Sequence, residues 1–203
     1  MNLLAIDTTT DVCALAVYRQ DRWFEHNRFA PRLHNRHVLS MVDSVLDAAG
    51  ITALDLDRIA FGAGPGSFTG VRIGAAVSQG IALACDAKLI PIANSAVAAE
   101  ALRRIGGVRG AVDIVRASRP GWCYRARYEL SDTGVRCIDF DRLIAAGEAE
   151  DNTLDADALP VSAHLVGTLA LRNLDDAVAP AFAQPYYVDG DSPWRPTESG
   201  SNG

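Results

Sequence analysis

Two periodicities of apolar and polar residues alternate along this chain, and each change of period marks a new element. Residues 3–6 form a short apolar run that ends in polar Asp7-Thr8-Thr9-Thr10-Asp11. Residues 12–18 read as a second strand, followed by the turn Arg19-Gln20-Asp21-Arg22. Residues 23–29 read as a third, with Trp23, Glu25 and Asn27 opposite Phe24, His26 and Arg28. Three such runs separated by polar turns predict an antiparallel meander. The period then lengthens. From about 33 to 49 the apolar positions Val38, Met41, Val42, Val45 and Ala49 follow i, i+3, i+4, i+7, i+11, with Leu39 and Leu46 widening the arc. That spacing predicts a helix, which Gly50 closes at its C-terminus. A strand at 57–61, a helix from about 70 to 85 and a strand at 88–93 complete a βββαβα order that opens another β, so the helices pack on a mixed sheet. Asn94 or Ser95 caps a further helix reaching about Arg104, ended by Gly106-Gly107. The second half is weaker in pattern. It predicts strands at 108–115, 122–130 and 135–140, an acidic loop over 147–160, another strand at 161–168 and a loose tail from Asp189.

Residues 62–74, Gly-Ala-Gly-Pro-Gly-Ser-Phe-Thr-Gly-Val-Arg-Ile-Gly, are the most informative stretch. Proline fixes φ and glycine accepts positive φ, so Gly64-Pro65-Gly66 forces a turn at the strand end. Ser67 or Thr69 can cap the following helix by accepting from a free backbone N–H. One reading of this strand–turn–helix is an anion cradle at a helix N-terminus. Gly-Lys-Ser/Thr and Gly-x-Gly-x-x-Gly are both absent from it. A second reading is a tight turn whose glycines serve close packing.

The helix itself offers a third reading. Gly70, Gly74, Ser78 and Ala82 lie in one row at four-residue spacing, flanked by a ridge of Ile73, Val77 and Ile81. Interior glycine costs roughly 1 kcal/mol against alanine, so Gly74 and Gly80 need a return, and a row of small residues gives one by admitting another backbone closely. Burial on the protein's own sheet would explain the row equally. Two helices with more apolar and small surface than one sheet face needs point to a partner, and the expected contact residues are Val38, Met41, Val42 and Val45 with Gly70, Val71, Ile73, Gly74, Val77, Ser78 and Ile81.

Composition narrows the class. The 203 residues are 49 % hydrophobic and 22 % charged, ordinary for a globular protein able to bury a sizeable core. No apolar run reaches membrane-spanning length and the start lacks the basic residues of a signal peptide, so a cytoplasmic protein is expected. Cys13, Cys85, Cys123 and Cys137 are widely spaced, consistent with core residues or free thiols and not with a zinc site. The net charge of −6 speaks against tight nucleic-acid binding by the chain alone. The charge is uneven, however. Residues 101–142 hold nine Arg against five acids, a local +4, and a phosphate backbone could lie near them, Arg125 and Arg127 included.

The glycine segment, the start Leu4-Ala5-Ile6-Asp7-Thr8-Thr9-Thr10, the helix residues His34, Val38, Leu39, Met41 and Val42, and Tyr186-Tyr187-Val188 together resemble the bacterial TsaB (YeaZ) family of tRNA threonylcarbamoyladenosine biosynthesis proteins. The likeness covers residues 1–100 well and thins afterwards, where Val115-Arg116-Ala117-Ser118-Arg119-Pro120-Gly121 lacks the family's acidic positions. It implies a two-lobed actin/Hsp70-like, RNase H-like fold: a first lobe over 1–100 and a smaller degenerate second lobe over 101–203. It also implies a non-catalytic partner of a TsaD-like subunit, joined by a TsaE-like ATPase, forming homodimers when alone and meeting tRNA only indirectly. No tightly bound cofactor is implied, though a nucleotide at the partner interface is compatible with it. A Tyr-containing closing strand is expected near the end.

The runner-up is an actin-like ATPase or small-molecule kinase. Asp7, Thr8, Thr9 and Thr10 could be a relic of a phosphate hairpin, with Asp7 toward a metal. Asp7 at a strand end is explained as well by turn hydrogen bonding. No second hairpin of this kind follows, and in-line phosphoryl transfer needs both halves of the clamp. His34 and His37 sit three apart without an evident third ligand, and His26 and His164 have no recognisable triad partner.

Overall fold

The computed structural model describes residues 1–149, 153–159 and 162–188. Strands β1 (Leu3–Asp7), β2 (Val12–Arg19) and β3 (Arg22–Phe29) form the meander, then come α1 (His34–Ala49), β4 (Arg58–Gly64), α2 (Phe68–Cys85) and β5 (Lys88–Ala93). The five strands make one sheet in the order β3-β2-β1-β4-β5, with β4 and β5 parallel to β1 and β2 antiparallel to it. All five residues of β1 are buried, because helices cover both faces. Leu4 and Ile6 face a core built with α1 and α2. Leu3 and Ala5 face the other side, where Ala14, Ala16 and Ala60 leave a shallow alanine surface.

Helix α3 (Asn94–Gly106) follows, then a second sheet of β6 (Gly110–Ala117), β7 (Trp122–Leu130), β8 (Val135–Ala145) and β9 (Thr153–Asp155), ordered β8-β7-β6-β9. Helix α3 lies between the sheets. Its Val97 and Ala101 join the first sheet's core, while Ala98, Ala99 and Leu102 pack on Ile114, Ala126, Tyr128 and Leu130 of the second. The α/β two-sheet architecture expected from the sequence is the one observed.

The second half brings corrections. Of the strand expected over 161–168, the described residues 162–168 do not form one: α4 spans Ala163–Arg172, capped by the Ser162 hydroxyl, which accepts from the His164 N–H. Leu165, Val166, Leu169 and Ala170 make one helical stripe, and it packs on the alanine face of β1, β2 and β4. Gly167 permits this, since a Cβ there would overlap the Trp23 ring, which also stacks on His164. The expected loop over 147–160 contains β9, paired parallel with β6 at residues 113–115. Strand β8 continues to Ala145 rather than ending at Phe140. Residues 163–188 thus return to the first sheet. Val178 bridges Leu89, and the Tyr186 N–H donates to the Ala63 carbonyl. Tyr186-Tyr187-Val188 meets the end of β4 at Ala63 without joining a sheet as a strand, so the expected closing strand is not formed. The tail from Asp189 lies outside the described residues.

Candidate functional site

The turn after β1 and the glycine segment are bolted together. Asp7 is 1 % exposed, and its Oδ1 accepts from the Thr9 N–H at 2.9 Å and the Thr9 hydroxyl at 2.7 Å. Its Oδ2 accepts from Asn94 Nδ2 at 2.9 Å, and Asn94 Oδ1 in turn accepts from the Gly64 N–H at 2.9 Å. Gly62 makes room for this, because a Cβ there would sit 3.0 Å from both the Asp7 carboxyl and Asn94 Nδ2. Thr8 donates its hydroxyl to the Gly70 carbonyl at 2.7 Å, and the Thr10 hydroxyl accepts from Val12 N–H. Asp7, Thr8 and Thr9, three of the four residues read as a candidate phosphate relic, are thus engaged with the protein itself, while Thr10 is only partly buried. Asn94, read from the sequence as a helix cap, does not cap α3, whose N-cap Ala93 is bridged by no side chain; the Asn94 side chain is instead the centre of this network. Its signal was legible only as a capping residue, since its partners lie 30 to 87 positions away.

Helix α2 starts on Ser67, whose hydroxyl accepts from the Gly70 N–H. The row Gly70, Gly74, Ser78 and Ala82 is buried and faces inward. A Cβ on Gly70 would overlap the Thr8 carbonyl oxygen, and one on Gly74 would lie 2.8 Å from Thr8 Oγ1. The notch in this helix is filled by the protein's own β1–β2 turn, so the reading of that row as an external docking groove is corrected. Val38, Met41, Val42 and Val45 are likewise core, at 1–4 % exposure, and Val71 is buried too. Of the expected contact residues, Ile73, Val77 and Ile81 alone remain half-exposed, at the edge of that core.

A different row faces outward. Phe68, Arg72, Ala76, Gly80 and Ala84 also recur every four residues. Phe68, Ala76, Gly80 and Ala84 are exposed, and a Cβ added to Gly80 would meet nothing. The Arg72 guanidinium lies 3.2 Å over the Phe68 ring and 5.1 Å from that of Tyr187. Leu83, 72 % exposed, and Leu39 of α1, 59 % exposed, extend the apolar surface. Against the expectation that no apolar run is long enough, α2 is by length and composition apolar enough to cross a membrane, a test that core helices also pass.

Beside the helix start, a cleft of about 1140 Å³ opens between the two sheets, lined by Thr9, Thr10, Ser67, Arg116, Tyr124 and Tyr186 among others. Arg116 spans it, donating to the Pro65 carbonyl at 2.9 Å and pairing with Asp157 at 3.2 Å. Behind it, Ser95 donates to Asp141 Oδ2 at 2.6 Å and shares a hydrogen bond with the Tyr128 hydroxyl. Burial pushes the Asp141 carboxyl up to about 6, against the opposing pull of Ser95 and Arg116. None of Arg116, Tyr124, Asp141 and Asp157 was singled out from the sequence, because each comes from a strand or turn with no local motif.

Within the basic segment, Arg125 pairs with Asp113 at 2.7 Å, and Arg127, its side chain 41 % exposed, lies 3.6 Å from the same carboxylate. His34 is buried and His37 half-buried, and among the described residues no three His, Cys, Asp or Glu side chains are placed to share a metal. The four cysteines are free thiols, two of them buried.

The sequence model of the family described as "TsaD: tRNA N6-adenosine threonylcarbamoyltransferase" matches residues 26–165. The chain is 35 % identical over 135 residues to the tRNA threonylcarbamoyladenosine biosynthesis protein TsaB of Escherichia coli, covering 66 % of this chain and 58 % of the relative. It is 40 % identical over 116 residues to TsaB of Haemophilus influenzae, covering 56 % of this chain and 49 % of the relative. The matched part thus spans about half the length of these curated relatives. The fold superposes on YeaZ from Pseudomonas aeruginosa with a TM-score of 0.82 at 29 % identity, covering 92 % of this chain and 99 % of that one.

Proposed function

We propose that this chain, which belongs to the TsaD-type family and resembles its TsaB/YeaZ members, is a non-catalytic cytoplasmic subunit in threonylcarbamoyladenosine formation on tRNA. It docks a TsaD-like subunit through the outward side of α1 and α2, joins a TsaE-like ATPase in that assembly, and pairs with a second copy of itself when alone. It holds no tight cofactor of its own, and any nucleotide in the assembly sits at the partner interface.

The observation that carries this reading is Gly80. An exposed glycine inside a helix costs roughly 1 kcal/mol against alanine, and among the described residues no intramolecular contact explains it. Flanked by Ala76 and Ala84 in a row, with Phe68 and Arg72 at one end and Leu83 and Leu39 beside it, it suits close approach of another helix. Aromatic and arginine side chains are the residue types that anchor protein interfaces. An ATPase or kinase built on Asp7 is disfavoured because both carboxylate oxygens already accept hydrogen bonds from the protein.

Gly80→Leu tests the docking face. The variant is expected to fold as well as the parent and to lose association with the TsaD-like subunit in a pull-down of purified proteins. Undiminished association would end the proposal.

A further inference from the structure

One corner of this acidic protein carries unbalanced positive charge. Glu100 on α3 is fully buried, and Arg103 grips it with two hydrogen bonds of 2.7 Å. Arg104 donates to the same carboxylate at 2.8 Å, and Arg172, at the end of α4, lies 3.3 Å from it. Burial pushes the Glu100 carboxyl up, but these guanidinium groups outweigh it and hold it at about 2. One carboxylate thus serves three arginines. Arg109, in the loop after α3, pairs with Asp132 in the β7–β8 turn and donates to the Arg103 carbonyl, so it joins the same corner. Four arginines against Glu100 and Asp132 leave a net +2 in a chain whose total is −6.

The excess charge faces outward. The side chains of Arg104, Arg109 and Arg172 are 36 %, 41 % and 38 % exposed. Arg104 reaches Glu100 through its Nε at 2.8 Å. Beside them runs Gly106-Gly107-Val108-Arg109-Gly110. Gly107 and Gly110 both have positive φ, and Cβ atoms built on them would meet nothing within 4 Å. Side chains are thus missing where a bulky ligand backbone would come closest, and arginines stand where its charge would lie. A glycine-x-x-glycine turn of this kind is one device by which proteins admit a nucleic-acid backbone. Arginine's planar fork, in turn, suits phosphate oxygens.

We propose that the corner formed by Arg104, Arg109 and Arg172 around the Gly107–Gly110 turn contacts the phosphate backbone of the tRNA directly when the chain is in its complex. The inference rests on the proposed role in tRNA modification and replaces, at this one place, the expectation of purely indirect contact. Backbone contacts of this kind position an RNA without reading its sequence. An isolated net +2 corner on an acidic protein binds weakly, and gains its effect beside a subunit that supplies the remaining affinity.

The test uses the assembled complex with the TsaD-like subunit and an unmodified tRNA transcript, read by fluorescence anisotropy across a salt series. Arg104→Gln with Arg172→Gln is expected to weaken binding about tenfold at low salt and to reduce the slope of log K against log salt by about 2. Asp132→Asn, at an 89 % exposed side chain with only Arg109 to lose, is expected to tighten binding and steepen the slope. The asparagine variant keeps the test decisive even if the glutamine pair disturbs folding. Assembly, measured by size exclusion, is expected to be unchanged in all variants. A complex that forms normally but binds tRNA with the same affinity and slope in every variant would overturn the inference. So would variants that lose the ATPase or the TsaD-like subunit while keeping tRNA, since the corner would then be a protein dock. Failure of the parent chain to assemble at all would instead count against the proposed function.

Discussion

Two glycines ten residues apart on α2 have opposite meanings. At Gly70 a side chain would overlap the Thr8 carbonyl, whereas at Gly80 it would enter open space. Gly70→Ala is therefore expected to destabilise the fold by about 1–3 kcal/mol through overpacking against backbone. Gly80→Ala is expected to stabilise it by roughly 1 kcal/mol. Urea unfolding of the two variants checks both signs. Loss of stability in Gly80→Ala would mean that the glycine serves the monomer after all. The sequence made the helix and its four-residue rows legible, but two such rows exist and spacing cannot say which faces inward. That choice is made by Thr8, whose hydroxyl bonds to Gly70 across 62 positions of chain. The same distance hid Asn94, which holds Asp7 and the glycine turn together.

At the level of elements, the first half was readable because each period there runs long enough to be distinctive. Residues 161–168 were not, since a short apolar run fits strand and buried helix alike. Ser162 was the available cue, as a capping hydroxyl just before Ala163. Glu100 ties α3 to the end of α4 through Arg172. Losing that carboxylate would leave Arg103, Arg104 and Arg172 without their shared counter-charge, so Glu100→Gln is expected to cost about 1–3 kcal/mol, read by thermal unfolding at pH 7. The pH dependence has a fixed sign. The Glu100 carboxyl lies below its ordinary 4.5 in the folded chain, at about 2. The stability it contributes is complete above 4.5 and is lost as pH falls toward 2. Asp141 behaves oppositely. Burial raises it to about 6, so the folded state favours its neutral form, and that contribution is lost as pH rises through 6. Asp141→Asn is expected to raise the melting temperature at pH 8 and to leave it nearly unchanged at pH 4. An equal shift at both values would contradict burial as the cause.

On the scale of the whole molecule, two sheets share α3, and the segment after α4 returns to the edge of the first sheet and ends beside the cleft. That return was hidden from the sequence because Val178 and Tyr186 meet Leu89 and Ala63 far upstream. Among the described residues, nothing covers the outward surface of α1 and α2 around Leu39, Phe68 and Leu83. Hydroxyl-radical footprinting of Leu39, Phe68 and Leu83 tests most directly whether a partner covers it. Reactivity in the complex with the TsaD-like subunit is compared with the chain diluted to monomer. All three side chains are expected to lose most of their reactivity on assembly, while exposed Phe140 on β8 keeps its own. A complex that forms with Leu39, Phe68 and Leu83 as reactive as in the monomer would contradict the account.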